Sequence, residues 1–138
     1  MSLESGSLAY KIKPSEKFKT SFVALRKSHY KKSKKLQTQF KETIQKKVEE
    51  ISSEPRCADL EPIPSNLKLP EHLELRKLHF KMPNLQGESR QGRLIYIVNH
   101  EKQEIDLVWL YTHKEFQKRP SDKNLQQVIL DIRSQIET

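Results

Sequence analysis

Three features of the chain predict an α+β fold. Apolar residues recur at helical spacing up to residue 51, four prolines interrupt residues 53–72, and strict alternation begins at Leu73. The expected arrangement is an N-terminal strand and helical hairpin packed on a small antiparallel sheet, with a C-terminal helix. At 138 residues and 34% apolar content, the chain should form one domain over 1–138, with a core over about 8–120 and the last helix over about 123–137.

In Leu8-Ala9-Tyr10-Lys11-Ile12-Lys13, Leu8, Tyr10 and Ile12 share one side, which predicts an opening strand that Pro14 ends. Ser15 is placed to cap a short helix in which Phe18, Phe22 and Leu25 recur through about Ser28. Leu36, Phe40, Ile44, Val48 and Ile51 then form the stripe of a second amphipathic helix. Pro55, Pro62, Pro64 and Pro70 lock φ and remove N–H donors, so regular structure is not expected over 53–72. Period two returns in 73–81, 93–99 and 104–111, and His100-Glu101-Lys102-Gln103 is short enough to join the last two as an antiparallel hairpin. Asp122 precedes Leu125, Val128, Ile129, Ile132 and Ile136, spaced for a terminal helix.

The net charge of +8 is unevenly placed. Residues 10–50 carry 13 Lys and Arg against four acids, whereas residues 51–138 balance to zero. The first third is therefore expected to offer a phosphate-attracting or acid-attracting surface. One cysteine, Cys57, permits no internal disulfide and no thiolate cluster. His29, His72 and His100 are scattered without metal-ligand spacing, so neither a metal nor another cofactor is expected. The longest apolar run, Leu94–Val98, is strand-sized, and the N-terminus lacks a basic segment followed by an apolar one; a cytoplasmic protein without a membrane segment is expected.

The element order, together with Leu75-Arg76-Lys77-Leu78-His79-Phe80-Lys81, Arg90-Gln91-Gly92-Arg93-Leu94-Ile95-Tyr96-Ile97-Val98 and Val108-Trp109-Leu110-Tyr111-Thr112-His113-Lys114, resembles the RelE/ParE superfamily of toxins from type II toxin–antitoxin systems. The shared pattern is a basic strand, a hairpin, a strand opening on glycine and arginine, and a basic residue after the last strand. The resemblance implies a RelE-like, microbial-RNase-type fold and an mRNA interferase: a ribosome-dependent endoribonuclease that cuts mRNA without metal, inhibits translation, and is covered by a cognate antitoxin. Met82–Ser89 lengthens the turn before the Arg93 strand, and Arg119-Pro120 stands where the pattern would have an aromatic; Phe116 is the nearest substitute.

Such chemistry needs an acceptor for the 2′-OH proton, a donor for the leaving 5′-oxygen, and cations for the extra phosphate charge. Strand alternation puts Lys77, His79 and Lys81 on one side, away from Leu78 and Phe80. The expected roles are His79 or Lys81 as base, Arg93 as the transition-state cation and His113 as general acid, with Lys77 beside them; the choice between the two bases stays open. Arg90, Lys114, Lys118 and Arg119 are expected to contact RNA or ribosome, and Tyr111 and Phe116 to stack on bases. The competing reading is a non-enzymatic protein of the same fold, either a gyrase-poisoning relative or an inactive RNA- or ribosome-binding module.

Overall fold

The computed structural model describes residues 9–137, with side chains through Ser134. The chain runs β1 (Lys11–Pro14), α1 (Glu16–Tyr30), α2 (Lys34–Ser53), β2 (Asp59–Leu60), β3 (Leu73–Lys81), a 3-10 turn (Gly87–Arg90), β4 (Gln91–Asn99), β5 (Glu104–Thr112) and α3 (Asp122–Glu137). Leu8 and the side chain of Ile136, both assigned above to apolar stripes, lie outside the described residues.

The hairpin helices start where side-chain oxygens replace missing backbone acceptors. Ser15 Oγ accepts from Phe18 N at 3.1 Å, and Ser33 Oγ accepts from Leu36 N at 3.2 Å. The second cap had no counterpart in the sequence reading. Phe40, Ile44 and Ile51 of the predicted α2 stripe are buried, and Leu36 and Val48 pack beside them.

The five strands lie in the order β1-β5-β4-β3-β2. The expected antiparallel sheet is in fact mixed: β1 runs parallel to β5, with Lys11 opposite Glu104. A parallel neighbour requires a long crossover, and everything from the hairpin to β4 supplies it. β1 is short, so α1 finishes the edge: Ser15 Oγ donates to Val108 O at 3.1 Å, and Leu110 N donates to Ser21 Oγ at 3.1 Å. The connector 53–72 is irregular except at β2, where Asp59 and Leu60 pair with Lys77 and Arg76. The Arg76 guanidinium holds that strand by donating to Ala58 O.

β4 is central and buried on both faces, which accounts for the unbroken apolar run Leu94–Val98. Leu94, Tyr96 and Val98 face the helical hairpin; Ile95 and Ile97 face α3, where they meet Leu125, Ile129 and Ile132. A bulge shifts the register so that Ile95 pairs with Trp109 but Tyr96 pairs with Leu107, leaving Val108 as the extra residue. No helix among the described residues is long and apolar enough to cross a membrane.

At the sheet end near β1, Glu74 Oε1 lies 2.7 Å from His100 Nε2 and accepts from Arg76 Nε at 3.1 Å, while Tyr10 OH meets His100 Nδ1 at 3.0 Å. Burial pushes the Glu74 carboxyl up, but the hydrogen bonds and charges of His100 and Arg76 outweigh it and hold the pKa down to about 2, against an ordinary 4.5. A depressed folded pKa means that the contribution, reduced by solvent screening, is complete above the unfolded value and lost as pH falls through the folded one. Urea unfolding of Glu74→Gln from about pH 5 to pH 2 is expected to show a flatter acid limb than the unsubstituted protein; equal limbs would assign the acid sensitivity elsewhere.

Candidate active site

The odd-numbered side chains of β3 share a sheet face with α3, but α3 covers only part of it. Leu73 and Leu75 are buried there, whereas Lys77, His79 and Lys81 continue past the helix toward the open end. The predicted separation of these three from Leu78 and Phe80, which pack toward the hairpin, is therefore realised.

Cross-strand register aligns the candidates in rows. His79 stands opposite Arg93, and Arg93 stands opposite Tyr111. One row outward, Lys81 pairs with Gln91, whose carbonyl accepts from His113 N at 2.9 Å. One row inward, Lys77 faces Ile95. Two open clefts flank the central row, one of about 470 Å³ lined by Glu61, Lys77, His79, Arg93, His113 and Lys118, the other of about 560 Å³ lined by His79, Lys81, Arg90, Gln91 and Arg93. His79 and Arg93 form their common wall.

Arg93 makes no ion pair among the described residues. Its Nη1 donates to Gly92 O at 2.9 Å and its Nη2 to Gln91 Oε1 at 3.2 Å. Glu61, the acid that lines a cleft with Arg93, is engaged by Lys77 at 3.3 Å and Arg119 at 3.0 Å. A guanidinium without a carboxylate partner is suited to a phosphate.

Partial burial, then the charges of Arg93 and Lys77, lower the His79 pKa; Asp59 and Glu61 oppose the shift. His79 is consequently neutral near pH 7, the form that accepts a proton. Removing one depressing cation, and leaving Glu61 without its lysine, must let the value rise. NMR titration of Lys77→Met is expected to place the His79 imidazole pKa above that of the unsubstituted protein; no upward movement would show that Lys77 does not set its protonation state.

The structure corrects one expected RNA contact and shows a second already holding partners. Tyr111 is 0% exposed, its hydroxyl donates to Lys118 O at 3.2 Å, and its ring meets Phe116 edge-on at 5.7 Å, so no ring face is open to a base. Arg119, which also lines the cleft with Lys77 and His79, is already engaged: it bonds Glu61 Oε2 and Asp122 Oδ1, each at 3.0 Å, and also donates to Pro62 O, joining the connector to the start of α3. Phe116 is half-buried against Trp109 and Tyr111 at the rim of the apolar core. Lys81, Arg90, Lys114 and Lys118 are exposed, and none of them makes an ion pair among the described residues.

Glu61 was missed by the sequence reading. Its carboxylate, with the side chain 9% exposed, bridges Lys77 at 3.3 Å and Arg119 at 3.0 Å. Nothing local to a proline-flanked acid in a connector signals this; its placement follows from Glu61 N donating to Leu75 O at 2.8 Å, one step beyond β2. Among the described residues, no group of three or more His, Cys, Asp or Glu side chains comes together to hold a metal.

No protein-family model and no curated protein matches the chain. Among solved structures, the chain is similar to the E. coli toxin RelE, in a double arginine-to-alanine mutant in the free state. The identity is 19%, over 79% of this chain and 88% of that one, with a TM-score of 0.42.

Proposed function

We propose that this chain is a cytoplasmic toxin of a type II toxin–antitoxin system, an endoribonuclease that cuts mRNA on the ribosome and inhibits translation. The observation that carries the reading is the placement of His79 directly opposite an unpaired Arg93, between two open clefts edged by Lys81, Arg90 and His113. The motif resemblance described above supports the substrate and setting.

In the proposed reaction, neutral His79 takes the proton of an RNA 2′-OH as that oxygen attacks the adjacent phosphorus. His79 is favoured over Lys81 as base because Arg93 and Lys77 help keep it unprotonated. Arg93 holds the non-bridging oxygens as negative charge accumulates on them. His113 delivers a proton to the departing 5′-oxygen, leaving a 2′,3′-cyclic phosphate on one fragment and a 5′-hydroxyl on the other. The clefts are open and Tyr111 is buried, so the chain offers little to fix a base in place. This favours an external scaffold, the ribosome, for orienting the mRNA. A cognate antitoxin with an acidic or amphipathic segment would cover the basic surface.

One feature favours the competing, non-enzymatic reading: Glu61 occupies Lys77 and Arg119, two cations that would otherwise face an anion. Translation reactions with the unsubstituted protein, Arg93→Ala and His113→Ala, followed by mapping of mRNA ends, separate the two. Cleavage with 5′-hydroxyl ends, lost in both variants, is expected. Intact mRNA while all three proteins remain on the ribosome would replace the nuclease reading with the binding one.

A further inference from the structure

We infer that the tip of the helical hairpin is a second RNA-binding surface, continuous with the candidate active site, and that it holds the RNA strand beyond the clefts. The inference deepens the proposed function and rests on it for the identity of the polyanion.

The tip and the site lie at the same end of the molecule. Tyr30, the last residue of α1, donates from its hydroxyl to Pro83 O at 2.7 Å, and Asn84 Nδ2 donates to Gln39 Oε1 of α2 at 2.7 Å. The segment between β3 and β4, which leads from Lys81 to Arg90, is thereby fastened to the hairpin. A route along Lys81 and Arg90 therefore connects the clefts to the α1–α2 turn.

The turn itself is basic and uncompensated. Lys31, Lys32, Lys34 and Lys35 are all exposed, and none makes an ion pair among the described residues. Lys34 and Lys35 also occupy the first turn of α2, which contains no acid. Backbone dipoles make that end of a helix positive, so acids stabilise it and lysines do not. The sequence thus places charge where it opposes the helix, an arrangement that becomes favourable when a polyanion lies against it. RNA fits better than an acidic protein segment because the charge continues into a groove whose other cations surround an unpaired arginine and a neutral histidine.

The test uses labelled 2′-O-methyl RNAs of six and twenty nucleotides, which bind without being cut, in fluorescence anisotropy at about 0.15 M salt. The full-length protein is compared with Lys31→Glu/Lys32→Glu and with Lys46→Glu/Lys102→Glu, a control that makes the same change in net charge at exposed positions on the later part of α2 and in the β4–β5 turn, away from the tip. The tip variant is expected to bind the 20-mer about tenfold more weakly, with the slope of log affinity against log salt smaller by about 1.4, and to bind the 6-mer within about twofold of the unsubstituted protein. The control should stay within about twofold on both. Equal losses in the two variants would reduce the effect to net charge and overturn the inference. So would an unchanged 20-mer affinity at the tip variant, or polyglutamate displacing the 20-mer as well as RNA of equal charge does. Absence of mRNA cleavage in the translation assay alongside the expected binding pattern would reject the nuclease and keep the RNA surface.

Discussion

Arg93→Ala is expected to slow mRNA cleavage by about two to three orders of magnitude, the usual effect of removing a group aimed at charge that develops in a transition state. Nothing in the fold depends on this side chain, whose partners are the adjacent Gly92 carbonyl and the Gln91 side chain. The melting temperature should therefore change little. Arg93→Lys is expected to recover only part of the rate, because an ammonium keeps the charge but loses the planar fork that spans two phosphate oxygens. Single-turnover cleavage on ribosomes is the measurement. A rate within a fewfold of the unsubstituted protein, with the same ribosome occupancy, would remove Arg93 from the chemistry.

The largest expected stability effect lies one residue earlier. Gly92 stands opposite Phe80, whose ring end lies against it: a Cβ at Gly92 would fall 2.4–2.7 Å from three ring atoms, Cζ, Cε1 and Cε2. An aromatic covering a cross-strand glycine is a recognised way of filling the gap left by the missing side chain. Here the glycine leaves room for a buried phenylalanine of the hairpin-side core. Gly92→Ala must displace that ring, at a cost of about 2–3 kcal/mol. Thermal unfolding should register a drop of roughly 10 °C. Adding Phe80→Leu should return part of the loss, since the shorter side chain clears the new methyl. An unchanged melting temperature in the single variant would mean that Phe80 has another position available at no cost.

What the sequence revealed and what it concealed divide along physical lines. The α2 stripe and the alternation on β3 are local patterns with one buried face each, so Phe40, Ile44 and Ile51 on the helix and His79 beside Lys81 on the strand were readable from spacing alone. The parallel pairing of β1 with β5 was not, because no local pattern distinguishes a parallel from an antiparallel neighbour in four residues. Tyr111 shows the same limit within the site. Register puts it in line with His79 and Arg93, but its burial comes from Phe116 and the segment leading into α3, contacts that strand periodicity does not encode. Glu61 depends on a two-residue strand, too short to leave a period at all.

The pairing of β1 with β5 also bears on the order in which the molecule is built. Lys11 and Glu104 are about 90 residues apart in the chain, so the closing contact is among the most distant that the sheet contains. Contacts of that separation form late, after the entropy of closing the long loop has been met by structure already in place. β3, β4 and β5, by contrast, are consecutive and joined by turns, and can zip together as a meander. On a ribosome adding about 5–20 residues per second, the completed hairpin would wait roughly 3–12 s for its sheet, with Phe18, Phe22 and Phe40 without their final cover. His79 and Arg93, side by side on the meander, are therefore expected to take up their mutual geometry before the N-terminal third docks, with the seating of the hairpin on the sheet coming after it.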